Sequence, residues 1–300
     1  MFEDIIGDLK TKEILKRTII SNRISHSYMF IGQEGIGKKL IAEEFAKAIL
    51  CLEERKTETG LYCDKCKSCI EFSSNNNPDY IYIEPDENKI KIEQIRNMQT
   101  KVAEKPIISH NKVYIINDAD TMTNEAQNCL LKTLEEPPEY ITIILIGKNE
   151  ETFLPTIRSR CTKIYFDRIS NEDIKTYLLK NNVLDISDDL LDMADGSIKK
   201  AIEISENKES YYSLNNIMDN LDKCDIIELL NLAEELYKSK ETIYSILENI
   251  NIIALKKSRF NIKFSGCIKV VEETKRRLRA NSNYDMCIDN LLFGMWREVN

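Results

Sequence analysis

Two groups of residues in this sequence have the types and spacing that chemistry needs. Gly32-Gln33-Glu34-Gly35-Ile36-Gly37-Lys38-Lys39 fits the phosphate-loop pattern GxxxxGK[ST] up to its last position. In such a loop Gly32, Gly35, Ile36, Gly37 and Lys38 turn backbone N–H groups and a helix N-terminus toward phosphate oxygens. Lys38 then meets the β- and γ-phosphates. The last position normally carries a hydroxyl that holds Mg²⁺, whereas Lys39 is a cation with no acceptor. The loop therefore reads as a phosphate cradle by shape, with weakened metal chemistry. The alternative is a glycine-rich turn that holds no ligand. The second group is Cys51, Cys63, Cys66 and Cys69. Two overlapping CxxC steps and a fourth cysteine upstream supply four thiolates, enough to close a structural zinc site with no position left for water. The alternative is free or redox-active thiols. Cys129, Cys161, Cys224, Cys267 and Cys287 lack such spacing and read as core residues.

A third feature bears on the first. The apolar run Lys112-Val113-Tyr114-Ile115-Ile116 leads into Asn117-Asp118-Ala119-Asp120. In a phosphate-loop ATPase, a strand of this kind ends in acids: one positions the Mg²⁺ shell, and the next, usually Glu, polarises the attacking water. Asn117 has lost that charge, and Asp118 stands one methylene short. The plain alternative is a strand end with solvated carboxylates.

These residues need a sheet to hold them. Tyr28–Ile31 reads as a buried strand entering the loop, and Leu40–Ile49 as the helix leaving it. Further strands are expected at 78–83, 112–116 and 141–146. Helices are expected at 2–24, entered through Asp4, and at 93–102 and 123–133. This alternation predicts an α/β fold, a parallel sheet with helices on both faces. In the first helix Leu9, Ile14, Leu15, Thr18 and Ile19 share a face expected to be buried. After Phe166 the texture changes to short helices near 171–181 and 187–195, and one opened by Gly196-Ser197. Helical periodicity then runs through 226–237, 242–256, 267–280 and 284–297, which predicts an all-helical bundle. The expected domains are therefore 1–166, carrying the 51–69 cysteine module, then 167–208 and 209–300.

Composition narrows the function. The chain has 300 residues, enough for two or three domains. Its net charge of −8 opposes a protein that grips nucleic acid on its own. Its start lacks a signal peptide and no run reaches a membrane span, so a cytoplasmic protein with no membrane partner is expected. Nine cysteines in that compartment are not a disulfide framework. Lys275-Arg276-Arg277-Leu278-Arg279 reads as a solvated face balanced by Glu272 and Glu273, with an acidic partner or DNA backbone as the alternative.

Taken together, several blocks resemble the AAA+ clamp-loader ATPase family. They are His26-Ser27-Tyr28, the Gly32–Lys38 loop, the four cysteines, 112–120, Asn128-Cys129-Leu130-Leu131-Lys132-Thr133-Leu134-Glu135-Glu136-Pro137-Pro138, Ser159-Arg160-Cys161 and Gly196-Ser197-Ile198-Lys199-Lys200-Ala201. They span residues from about 5 to 205, while 209–300 matches only in helical character. The resemblance implies a RecA-like sheet domain, a small helical lid and an all-α C-terminal collar that joins subunits into a hetero-pentamer. It implies motor and delta subunits as neighbours, with the sliding clamp and primer-template DNA reached through the complex during DNA replication. Arg160 would be an arginine finger serving a neighbouring subunit's ATP, and Arg158 packing or support. Lys199 stands where relatives often carry a nucleotide-sensing Arg, keeping the charge without the paired donors. Lys39, Asn117 and Asp118 favour a non-hydrolysing partner subunit that binds ATP or ADP weakly or not at all. An active motor-type ATPase is the alternative, and a zinc-dependent DNA-binding regulator a third.

Overall fold

The computed structural model describes residues 2, 5–54, 56–181, 183, 187–206 and 208–300. Five strands form one sheet: β1 (Ser27–Ile31), β2 (Tyr80–Ile83), β3 (Lys112–Ile116), β4 (Ile141–Gly147) and β5 (Thr162–Tyr165). Their order is β2-β3-β4-β1-β5, and every pairing is parallel. Every residue of β1, β3 and β4 is buried, which explains why these strands read as unbroken apolar runs. The edge strands are different. β2 is half-buried, and in β5 only Ile164 is buried. That polar edge gave no strand signal of its own.

The helices α1 (Leu9–Ile20), α2 (Lys38–Leu50), α3 (Lys56–Thr59), α4 (Lys67–Ser73), α5 (Ile92–Val102), α6 (Asn124–Glu135) and α7 (Pro155–Arg158) belong to the sheet domain. Ile95, Met98 and Val102 of α5 and Leu130 and Leu134 of α6 share a core with Tyr114, Ile143 and Leu145 of the central strands. On α2, Ile41, Phe45 and Ile49 are buried, and the Phe45 ring meets Tyr28 edge-on at 5.3 Å. The helix expected over 2–24 is shorter. Asp8 takes a left-handed conformation, and its carboxylate accepts from Thr11 N–H at 3.2 Å, so Asp8 caps the helix start. Leu15 and Ile19 are buried as expected, but Leu9 and Ile14 face outward. Asp4 lies outside the described residues.

Three helices follow, α8 (Asn171–Lys180), α9 (Asp188–Ala194) and α10 (Ile198–Glu206). They stand where the resemblance implies a small helical lid. Ser170 caps α8 by accepting from Asp173 N–H at 3.1 Å. By density of internal contacts the chain forms two units, Met1–Ile202 and Glu203–Asn300. The lid helices therefore group with the sheet, and the unit boundary falls inside α10.

The second unit contains α11 (Lys208–Asn220), α12 (Ile226–Tyr237), α13 (Ile243–Ser258), α14 (Phe264–Arg279) and α15 (Tyr284–Val299). Leu247, Ile250, Val271, Ile288 and Leu291 fill its core, together with Cys267 and Cys287. Cys129 and Cys224, also expected in cores, are only half-buried. The basic cluster on α14 is ion-paired: Lys275 is buried against Glu272 at 2.9 Å, and Arg277 meets Glu273 at 2.7 Å. No described helix is long and apolar enough to cross a membrane.

Candidate functional site

The phosphate loop leaves the sheet from β1, where Gly32 N–H donates to the Gly147 carbonyl at 3.3 Å. Gly37 caps α2 at φ 90°, a conformation that L side chains rarely adopt. Gly35 is required for closeness as well as for its φ of +77°. A Cβ there would come within 2.3 Å of Ser197 Oγ and 2.5 Å of Lys199 Cβ, so the start of α10 rests directly on the loop.

Lys38, the residue that would face phosphate, is buried and turned onto its own loop. Its Nζ donates to the Gly32 carbonyl at 2.5 Å and to the Gln33 carbonyl. Burial lowers its pKa to about 8, against the pull of the Asp120, Asp118 and Glu34 carboxylates. Lys39 lies over the Tyr82 ring, 4.4 Å from its centroid, and 3.9 Å from Glu43. Asn117 Nδ2 donates to Asp118 Oδ2 at 2.9 Å. Burial, and next the Asp120 charge, raise the Asp118 pKa, so this carboxylate is a poorer cation ligand than an ordinary one. These residues do not fit a magnesium shell. The hydroxyl is replaced by an ammonium, the first carboxylate by an amide, and that amide engages the second.

The structure brings Lys199 to the loop and adds residues that sequence reasoning did not single out. Glu34 bridges Lys199 at 2.6 Å and Lys148 at 2.7 Å. Hydrogen bonds from Lys148 and Lys199 hold its pKa down at about 2. Gln33 Nε2 donates to Asp195 at 3.0 Å, and Arg168 pairs with the same carboxylate. Lys148 had one legible signal: it follows the C-terminal end of a central parallel strand, where open α/β sheets bind their ligands.

The four cysteines gather at the other end of α2. Their sulfur atoms lie within 4.8 Å of one another, with Cys51 and Cys63 at 3.7 Å. A tetrahedral ion with metal–sulfur bonds of about 2.3 Å sets its sulfurs about 3.8 Å apart, so the donor set fits zinc. Cys66 N–H donates to Cys63 Sγ at 3.3 Å and Cys69 N–H to Cys66 Sγ at 3.5 Å, a knuckle that aims the thiols inward. Hydrogen bonding from Cys69 draws the Cys51 pKa down to about 5 and pushes that of Cys69 up. Lys47 meets Asp64 at 2.5 Å, fastening the 51–69 module to α2. Part of the polar stretch expected to need such a clip, Arg55, lies outside the described residues. Ser68 Oγ lies 2.8 Å from Ser109 Oγ, and Asn77 Nδ2 donates to the Ser68 carbonyl at 3.0 Å. The neighbouring Asp79 is fully buried, and its carboxylate accepts the N–H groups of Ile107, Ile108 and Ser109, each at 2.7 Å.

Arg160 lies elsewhere. It precedes β5, and its carbonyl accepts from Ser27 Oγ at 2.6 Å at the start of β1. The phosphate loop follows the far end of β1, so a strand about 16 Å long separates the two. The Arg160 side chain is half-buried, bonded to the Thr156 carbonyl at 2.8 Å and to the exposed Glu135 at 2.8 Å. Arg158 instead has its Nε buried without a hydrogen-bond partner. His26 sits at the same edge of the sheet, its Nδ1 3.4 Å from the Ile141 carbonyl, and away from the loop.

Comparison with known proteins gives this arrangement a lineage. The family described as DNA polymerase III, delta subunit matches residues 7–170, more than half the chain. The chain belongs to this family of clamp-loader subunits. DNA polymerase III subunit delta' of Bacillus subtilis is 34% identical over 200 residues, which cover 67% of this chain and 60% of that protein. DNA polymerase III subunit tau/gamma of Haemophilus influenzae is 32% identical over 177 residues, covering 59% of this chain and 25% of that one. The chain thus spans only part of the curated relatives it matches. A DNA polymerase III gamma subunit-related protein of Thermotoga maritima shares the fold, with a TM-score of 0.53, 21% identity and coverage of 97% and 100%. Within the clamp-loader match lie the loop, the cysteines, Asn117 and Arg160. Asp195, Lys199 and the helical second unit lie beyond it.

Proposed function

We propose that the chain is a delta-prime subunit of the DNA polymerase III clamp loader, a scaffold that does not hydrolyse ATP and lends Arg160 to a neighbouring ATPase subunit. The observation that carries this reading is the contrast between the two ends of the sheet. At one end, Lys38, Lys39 and Asn117 are committed to protein groups. At the other, the half-exposed Arg160 guanidinium, whose carboxylate partner Glu135 is itself exposed, stands a strand's length from the chain's own loop. A guanidinium supplied across an interface stabilises charge spreading over the γ-phosphate oxygens in the transition state. Its partners in this reading are motor and delta subunits, assembled through the helical 209–300 collar of a hetero-pentamer. The complex places a sliding clamp on primer-template DNA in the bacterial cytoplasm. The working domains are 1–166, 167–208 and 209–300. Cys51, Cys63, Cys66 and Cys69 hold one structural zinc ion, which supplies no chemistry to the reaction and fixes the 51–69 module.

The test is steady-state ATP turnover by the purified chain with Mg²⁺, alone and then mixed with motor subunits. The chain alone is expected at background, and the mixture is expected to exceed the motor subunits alone. Turnover of about 1 s⁻¹ or more by the isolated chain, the range of an ordinary enzyme, would identify a motor-type subunit instead.

A further inference from the structure

Three consecutive residues of the phosphate loop each reach a different group of the lid. Gln33 bonds Asp195 at 3.0 Å, Glu34 bonds Lys199 at 2.6 Å, and the Gly35 carbonyl accepts Ile198 N–H at 3.0 Å. The Gly35 contact admits no Cβ, so the two backbones are in direct contact. Glu34 also takes Lys148 at 2.7 Å, from the end of β4. Lys38 is held inside the same loop by the Gly32 and Gln33 carbonyls. Three lysines thus surround a loop whose only carboxylate lies between two of them.

We infer that Glu34 is a built-in anion of this loop, which occupies Lys148 and Lys199 and latches the lid to the sheet domain, so that a phosphate-bearing ligand must displace it to enter. The physical reason is competition for the same donors. In a ligand-gated lid, the loop's donors and the lid's cation meet through a bound phosphate. In this chain the loop meets the lid directly through Glu34 and the Gly35 carbonyl, so phosphate binding competes with the latch. The inference deepens the non-hydrolysing reading and rests on it only in part: a latched lid can be tested without any ATPase measurement.

The individual ion pairs are half-exposed, so each contributes little. The latch is therefore expected to loosen in steps. The experiment uses the full chain and its Glu34→Ala and Glu34→Gln variants. Amide hydrogen exchange is followed in peptides covering 33–37 and 195–202, and inorganic pyrophosphate binding is measured by calorimetry without metal. Wild-type chain is expected to protect 195–202 without pyrophosphate, and saturating pyrophosphate should speed exchange there as it displaces Glu34. Glu34→Ala should speed exchange in both peptides together by about threefold to tenfold. It should also tighten pyrophosphate by about tenfold, because one negative charge leaves a ring of three lysines. Glu34→Gln keeps the side chain's size and should show the same direction, which guards against a folding defect in the alanine variant. Exchange in 195–202 that matches wild type in both variants would overturn the latch. So would unchanged pyrophosphate affinity, or a wild-type lid that becomes protected only when pyrophosphate is added. Any of these results could coexist with an ATPase-silent chain, so the latch can fail while the scaffold reading stands.

Discussion

Helix α2 carries a ligand motif at each end, and the two ends have opposite fates. At its C-terminus, Cys51 joins Cys63, Cys66 and Cys69, and four sulfurs face one another at spacings that suit a tetrahedral ion. At its N-terminus, the charged side chains of the phosphate loop are taken by the protein: Lys38 by loop carbonyls, Glu34 by Lys148 and Lys199, Lys39 by the Tyr82 ring. The glycines and lysine of a loop motif are therefore a statement about backbone shape. Whether the loop serves a ligand depends on what its neighbours ask of the same atoms.

The cysteine end should give the largest effect when broken. Cys66→Ser removes a ligand itself, so zinc affinity should fall by more than the roughly 10–100-fold that loss of an outer-shell partner costs. Competition with a chromogenic chelator measures it. Retained wild-type affinity would erase the contrast between the two ends. The loop end should be indifferent to this change, with pyrophosphate binding as in wild type.

Asp79 sharpens the same contrast, because it fixes the loop on which the cysteine module rests. Asp79→Ala would strand three backbone N–H groups that now share a buried carboxylate. Bonds to charged groups contribute about 1.5–3 kcal/mol each, and water can replace some of them, so a loss of about 3 kcal/mol is expected in urea unfolding. A change below about 0.5 kcal/mol would show that the 107–109 turn holds itself.

Repairing the loop end should have a smaller effect. Lys39→Thr with Asn117→Asp returns a hydroxyl and a carboxylate to the metal shell. Magnesium should then tighten fluorescent ADP by no more than about tenfold, or about 1.4 kcal/mol, because Lys38 and Glu34 keep their partners. ATP turnover should stay at background. Restored turnover would mean that those two positions alone silenced the site.

The smallest effect is a titration. Burial holds the Lys38 pKa at about 8, below its ordinary value of 10.5. Below pH 8 the lysine is charged in both folded and unfolded chains, and the folded form bears the desolvation penalty. Between pH 8 and 10.5 the folded chain releases this proton first, so this residue's contribution to stability improves as pH rises. In lysine-labelled NMR one resonance should titrate near pH 8 and vanish in Lys38→Met.

The sheet was legible because buried parallel strands are apolar throughout, as in 112–116 and 141–146. β5 was not, because Thr162, Lys163 and Tyr165 lie exposed on an edge. The first helix was read too long because its start depends on a left-handed Asp8, which no apolar spacing reveals. The cysteine group was legible from spacing, since two overlapping CxxC steps bring their sulfurs together in one turn of chain. The loop's glycines were legible, but its commitments were not: Glu34, Lys148 and Lys199 are far apart in sequence and meet only in the folded chain. Asp79 reads as an ordinary polar residue until the N–H groups of 107–109 converge on it.

The most direct test of the account sits at the other end of the sheet. In a loader reconstituted with its clamp and primed DNA, Arg160→Ala should lower single-turnover ATP hydrolysis at the neighbouring site by about 10³-fold or more, the range of an arginine supplied in trans. Native mass measurement should show the same five-subunit assembly. Unchanged hydrolysis in an intact assembly would contradict the finger. Loss of the assembly would make Arg160 an interface anchor instead.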